Sequence, residues 1–427
     1  MIHAISIHHP RTKKLSGDTL VLCGIILAIF VSILALSSCQ TKPPADGILH
    51  NLSLAEAYFT SSFLNASEPY YDASSPGHWG HDELEYRTPL RNSYFRADAY
   101  RALAGTSYPH ASTLQFRANA VPSWFKLGQD EVAASPTAKG LMFIPYEPTM
   151  PEFGAEMLAD YTADPSAVYG YTVDHSGWYV RPKTAGSMTD FISAAFYDHG
   201  RALVSLCRSR DAGDSSVDDY IDDAADWLVA QDAATRTGDE AGGYVNYYAA
   251  GVEGLARAYK TRGTAAYLNT ALAWYKDFVL IQQNSDGSFG ESHDRMARYH
   301  GYILSSLGQL LYSLPPAAPE IPALKAAISK ARDYLRDLTS QSSPDGSEYD
   351  WTGICARTWA ELHILASLGY LPDLTAAEIA ALDNCLLRAS QMVKPLEYTG
   401  YNRIKAAYHA EQVAWVVAAF AYGAQYY

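Results

Sequence analysis

The sequence predicts an all-α fold, an (α/α) toroid forming an incomplete barrel of six or seven helix pairs with long loops over one end. Three observations lead there. Apolar residues recur at helical spacing through most of the chain, turn-forming residues separate those segments, and glutamines close alternate helices at a steady interval. The predicted helices occupy 187–208, 217–231, 245–262, 265–283, 296–314, 321–341, 353–368, 375–392 and 402–423, with earlier ones near 51–66 and 90–104. Breakers fall between them: Gly242-Gly243, Asp286-Gly287, Pro315-Pro316, Asp345-Gly346, Pro372 and Gly400. Residues 109–182 are rich in Pro, Gly and Tyr and read as long loops over one face, helical only in places such as 151–161.

The glutamines are Gln231, Gln283, Gln341 and Gln391, about 50 to 58 residues apart, and two run into similar turns, Gln283-Asn-Ser-Asp-Gly-Ser-Phe and Gln341-Ser-Ser-Pro-Asp-Gly-Ser. A helix pair of that length cannot bury its apolar face alone, so consecutive pairs stack side by side. Twelve or thirteen helices are expected, near the number a ring needs. An open solenoid is the alternative.

Composition narrows the function. Of 427 residues, 48% are hydrophobic and 18% charged, so the chain can bury a large core and is not a disordered protein. A net charge of -14 with no basic groove argues against nucleic acid as a partner. An anionic substrate would have to be met by a few placed Arg, His or Lys side chains. Tyrosine outnumbers phenylalanine 32 to 13, an aromatic surface carrying hydroxyls that suits clefts stacking on sugar rings.

Residues 1–38 read as a lipoprotein signal peptide. Arg11, Lys13 and Lys14 precede an apolar run from Leu20 to Leu36, and Leu36-Ser37-Ser38-Cys39 looks like a lipobox. Cleavage before Cys39 would leave its thiol acylated and residues 39–48 as a polar tether to a single catalytic domain, 49–427. The expected product is an exported lipoprotein, monomeric, in the periplasm or associated with the outer membrane. An uncleaved membrane anchor is the alternative. Cys207, Cys355 and Cys385 allow at most one disulfide, fit no metal spacing and read as buried small apolar residues. No metal or cofactor is expected.

The densest polar cluster is Glu291-Ser-His293-Asp294-Arg295-Met-Ala-Arg298-Tyr299-His300-Gly-Tyr302, at the expected start of an inner helix. On a continuous helix, Arg295, Tyr302 and either Arg298 or Tyr299 share a face. Guanidinium beside phenol suits β-elimination on a uronate polymer. The reaction takes the proton on ring carbon 5, next to a carboxylate, and expels the oxygen on carbon 4. Neutralising the carboxylate acidifies that proton. A tyrosine beside an arginine can take it and return it to the leaving oxygen. His300 is either part of this site or a satisfied core histidine.

Arg295-Met-Ala-Arg-Tyr-His-Gly-Tyr302 resembles the Arg-x6-Tyr segment, with its Tyr-His-x-Tyr ending, of the toroidal alginate lyases of polysaccharide lyase family 5. The resemblance spans about 60 residues. It implies Arg295 and Tyr302 as catalytic residues. That family's second motif, Asn-Asn-His-x-Tyr-Trp, corresponds to Gly243-Tyr-Val-Asn246-Tyr247-Tyr248-Ala, which keeps the aromatic pair but has Val245 at the His position. Asn246 is the substitute neutraliser, Tyr248 a substrate contact. An exported toroid of this size also resembles polysaccharide lyase family 38, alginate and glucuronan lyases.

Further substrate contacts are expected from Asp174-His175-Ser-Gly-Trp178-Tyr179-Val-Arg181, where a ring can stack on Trp178 and a carboxylate meet Arg181, with His175 beside them. His78, Trp79 and His81 form a weaker patch. Arg403-Ile-Lys-Ala-Ala-Tyr408-His409 echoes the Arg and Tyr-His pattern and reads equally as a second cleft-lining helix or as the repeat itself, giving Arg403 and His409 as candidates.

Two rival readings remain. A glycoside hydrolase on the same toroid needs two carboxylates about 6.5–9.5 Å apart, from among Asp190, Asp198, Glu240, Asp294 and Glu348. A non-catalytic glycan-binding lipoprotein would keep the aromatics and arginines yet tolerate loss of the Tyr302 hydroxyl. Asp218-Asp219-Tyr-Ile-Asp222 matches a magnesium-diphosphate pattern of helical terpene synthases but reads better as an acidic helix start.

Overall fold

Some helix ends in this chain fall where side chains or glycine satisfy the backbone. The computed structural model describes residues 126, 129–130, 139–140, 188–231, 244–340 and 352–392, all within the unit Ala45–Tyr427. They form α1 (Met188–Asp211), α2 (Asp218–Ala230), α3 (Val245–Arg262), α4 (Ala265–Trp274), α5 (Ala297–Ser313), α6 (Ile321–Thr339), α7 (Thr352–Ser367) and α8 (Ala376–Met392). The expected boundaries lie within three residues of these, except that the segment from 265 is α4 followed by a π turn, Tyr275–Val279, and a 3-10 turn, Leu280–Gln282. Among the described residues the fold is all-α, with one isolated bridge between Gln283 and Phe289. No described helix is long and apolar enough to cross a membrane. The N-terminal segment, its Cys39, and the helices expected at 51–66, 90–104 and 402–423 lie outside the described residues, as does any closure of the ring.

Particular residues set the ends. Asp214 accepts from the Ser216 N–H at 3.0 Å and starts the turn into α2. Gly263 ends α3 at φ +80°, a left-handed conformation that favours glycine, with its N–H on the Tyr259 carbonyl at 2.7 Å. Thr375 and Glu378 cap each other's backbone N–H at the start of α8. The acidic start of α2 is engaged by arginines, Asp218 by Arg210 and Arg262 and Asp222 by Arg262, as a surface helix start should be.

Alternate helices pack on one another. α1 lies against α3, α3 against α5 and α5 against α7, while α2, α4, α6 and α8 back them in a second layer. These are the stacked pairs that the glutamine interval predicts. α1 and α3 approach closely at Gly200, where an added Cβ would sit 2.1 Å from the Ala250 carbonyl. Between the layers the core is aromatic: Phe196 of α1 meets Trp227 of α2, Tyr248 of α3 and Trp274 of α4 at centroid distances of 5.0–6.2 Å. Cys207, Cys355 and Cys385 are buried, and burial pushes the Cys207 thiol up to about 12.

Two histidines join the layers in the same way. His199 donates from Nε2 to the Ala224 carbonyl at 2.8 Å, and His300, two pairs on, donates to the Ala331 carbonyl at 2.9 Å. Each sits wholly inside the protein, and burial lowers the first to about 3 and the second to about 4. Unfolded histidine titrates near 6.5, so below that pH the unfolded chain takes up protons that the folded chain refuses. Their contribution is complete above about pH 6.5 and falls away as pH drops, by up to about 1.4 kcal/mol per pH unit for each histidine. Urea midpoints measured from pH 7.5 down to 5 are expected to decline. A chain carrying His199→Asn and His300→Asn should show a flatter profile, and an equally steep one would assign the slope elsewhere. The carboxylates held below their usual range, Asp286 and Glu378, act in the same direction but in a lower window, starting near their unfolded values around pH 4.

Candidate functional site

The site grows from the way α3 and α5 begin. Met296 caps α5 in an extended conformation, φ -62° and ψ 141°, so the helix starts at Ala297 and the residues from Glu291 form a separate turn. From that turn the Asp294 carboxylate reaches the first N–H groups of α3, accepting from Val245 at 2.9 Å and Asn246 at 3.2 Å. One buried carboxylate therefore satisfies the open end of α3 and holds it against the entry to α5.

Rings gather around this junction. His293 is stacked between Tyr244 and Tyr299, with centroids 3.8 Å from each, and its Nδ1 lies 3.5 Å from Asp294. The Arg298 guanidinium sits 4.4 Å above the Tyr299 ring. From Tyr244 the array continues edge-on to Tyr247 at 5.3 Å, to Tyr197 of α1 at 5.9 Å and to Tyr302 of α5 at 5.3 Å. It begins at Tyr244, 45% exposed, and ends at Tyr302, 2% exposed. The rings thus form a path from the surface into the inner layer.

At the buried end a charge network crosses the inner helices. Arg201 of α1 lies 5.0 Å over the Tyr302 ring and pairs with Glu253 of α3 at 2.5 Å. Ser306 of α5 donates to the same Glu253 oxygen at 2.9 Å. Farther along, Glu361 of α7 accepts from Arg357 at 2.9 Å and from Ser305, and lies 3.7 Å from Arg208. All of these are buried except Arg208, which is half-buried. Charges so placed survive burial because each has an opposite charge in contact.

The structure brings together some of the residues singled out from the sequence and separates others. Tyr302, Tyr299 and Arg298 lie on the array, and Asn246 is buried at the start of α3. Arg295 does not share the helical face of Tyr302, because the helix begins two residues after it. It is exposed, pairs with Asp286 at 2.7 Å and lies 5.9 Å from the Tyr334 ring of the outer layer. His300 is a core histidine, its Nε2 on the Ala331 carbonyl and its ring between Phe289 and Tyr334. Tyr248 also belongs to the core, stacked on Phe278 at 4.7 Å; its neighbour Tyr247 is the one on the array. Asp294, a candidate for a hydrolase carboxylate, is occupied as the cap of α3. His175, Trp178, Arg181, Arg403, His409 and Cys39 lie outside the described residues.

Sequence reasoning missed Arg201, Glu253, Tyr197 and Tyr247. A signal for the first was present: His199-Gly-Arg201-Ala-Leu repeats as His300-Gly-Tyr302-Ile-Leu, which sets Arg201 and Tyr302 at equivalent stations of two inner helices.

No family model matches the chain, and no curated protein does. Among solved structures, a chain named Polysaccharide Lyase BACCELL_00875 is similar at 11% identity and a TM-score of 0.46, over 90% of this chain and 98% of that one.

Proposed function

We propose that this protein is a polysaccharide lyase that cleaves an acidic uronate polymer by β-elimination, with Tyr302 as base and then acid. The observation that carries the proposal is the Tyr302 ring beneath the Arg201 guanidinium at the inner end of the tyrosine path. Tyrosines of a kind that can stack on sugar rings lead to a phenol with a guanidinium over its ring. Arg201 takes the place that the sequence suggested for Arg295.

In the proposed reaction the Tyr302 phenolate removes the proton on carbon 5. The electron pair forms the double bond between carbons 4 and 5, and the bond from carbon 4 to the glycosidic oxygen breaks. That oxygen takes the proton back from the Tyr302 hydroxyl, so no proton is gained or lost. Asn246 supplies an amide for the uronate carboxylate. A single tyrosine working from one side suits polymers whose proton and leaving oxygen share a face, as in mannuronate and glucuronate. His175, Trp178, Arg181, Arg403 and His409 are proposed as further substrate contacts. The protein is proposed to act as a monomer without metal or cofactor, exported and anchored through acylated Cys39.

The test is the ultraviolet absorbance of the new conjugated double bond, with chelator present, on polymannuronate, polyguluronate, glucuronan, pectate and hyaluronan. A rise on polymannuronate or glucuronan is expected. Reducing ends released with no rise in absorbance would transfer the chemistry to carboxylates and a hydrolase mechanism.

A further inference from the structure

We infer that Arg298 and the Tyr244–His293–Tyr299 stack form a binding subsite for neighbouring uronate units of an acidic glycan, separate from the reacting position at Tyr302. The first observation concerns charge. Arginines in this acidic chain are engaged by carboxylates: Arg201 by Glu253, Arg257 by Asp211, Arg295 by Asp286, Arg332 by Glu378 and Arg357 by Glu361. Among the described residues Arg298 has no carboxylate within ion-pair distance, and its Nε is buried without a hydrogen-bond partner. A half-buried guanidinium left uncompensated in a chain of net charge -14 is costly unless an anion arrives from outside.

The second observation concerns shape. Arg298 lies on Tyr299, Tyr299 on His293 and His293 on Tyr244, so four planar groups are stacked in sequence, and the outermost ring is 45% exposed. Asp294, beside His293, is fixed by its hydrogen bonds to the start of α3, which holds the stack in place. The exposed Tyr244 ring at one end of the stack can meet the C–H face of one sugar, and the Arg298 guanidinium at the other end offers N–H donors to the carboxylate of another unit. A neutral glycan would use the Tyr244 ring and leave the guanidinium unpaired; a polyuronate uses both.

The choice of uronate as ligand rests on the proposed lyase reading, but binding here does not require turnover. The experiment uses the full chain carrying Tyr302→Phe, titrated calorimetrically with saturated tetrasaccharides of mannuronate and of glucuronate, and with mannotetraose as the neutral comparison. Binding of at least one tetrauronate and not of mannotetraose is expected. Adding Arg298→Gln should weaken that binding by about tenfold or more, the usual effect of losing a charge-assisted pair. Arg298→Lys, which keeps the charge and loses the fork, should fall between them and serves if the glutamine variant does not fold.

Unchanged affinity in these variants, or no tetrauronate bound by the parent at millimolar concentration, would overturn the subsite. If Tyr302→Phe still turns over, the assignment of the base fails alone. Arg298 is then read from KM, expected to rise with kcat little changed. If no polymer is cleaved yet tetrauronate binding depends on Arg298, the lyase reading fails and the subsite stands.

Discussion

Tyr302→Phe is expected to lower the rate of uronate-polymer cleavage at least about 100-fold, the usual scale for loss of a general acid-base group. The ring fills a buried position between Tyr197 and Arg201, and phenylalanine keeps that ring. The melting temperature should therefore change little, since the loss is one hydroxyl. Initial rates by absorbance and a thermal melt on the same preparation separate the two effects. The matched variant is Tyr299→Phe. Tyr299 is half-buried on the array and touches Arg298 and His293, so it should affect substrate affinity more than kcat. Activity above about one per cent in Tyr302→Phe, with a deeper loss in Tyr299→Phe, would move the base three residues earlier, where the phenol also has a guanidinium beside it.

The helices were legible because each buries one stripe, and a stripe recurs every three or four residues whatever it packs against. Glycines and prolines marked their ends for the same local reason. The phase of a helix relative to its neighbours was harder to read. His300 and Tyr302 are two residues apart, about 200° around the axis, so one faces α6 across the layer and the other faces Arg201. Tyr247 and Tyr248 divide in the same way. Arg295 was misplaced because helical periodicity was extended two residues too far, past an extended Met296 that composition does not reveal.

The inner charges were invisible for a different reason. Arg201 and Glu253 are 52 residues apart, Glu253 and Ser306 are 53 apart, and Ser305 and Glu361 are 56 apart. No local motif spans such distances. Each separation is close to one repeat, however, so the pairing could be sought by aligning the repeats and asking which polar residues fall on matching inner stations. That search would have found Arg201 through its echo at Tyr302, and through Arg201 its partner on α3.

The pair found in that way should also matter most for stability. Arg201 and Glu253 have side-chain exposures of 2% and 0%, and their contact joins α1 to α3 where Gly200 already brings the two helices together. Glu253→Ala removes a carboxylate contact of a buried guanidinium and opens a space beside it. The expected cost is about 3–5 kcal/mol in urea unfolding, more than loss of an exposed pair such as Arg295 with Asp286, which should stay within about 1 kcal/mol. Replacing both partners with apolar residues, Arg201→Met with Glu253→Leu, should recover most of that loss, because neither charge then needs a partner. The same double variant should remain folded and fail to cleave, since it has no cation over Tyr302. Recovery of stability together with full activity would show that the network serves packing alone, and the phenol would need another source of its charge.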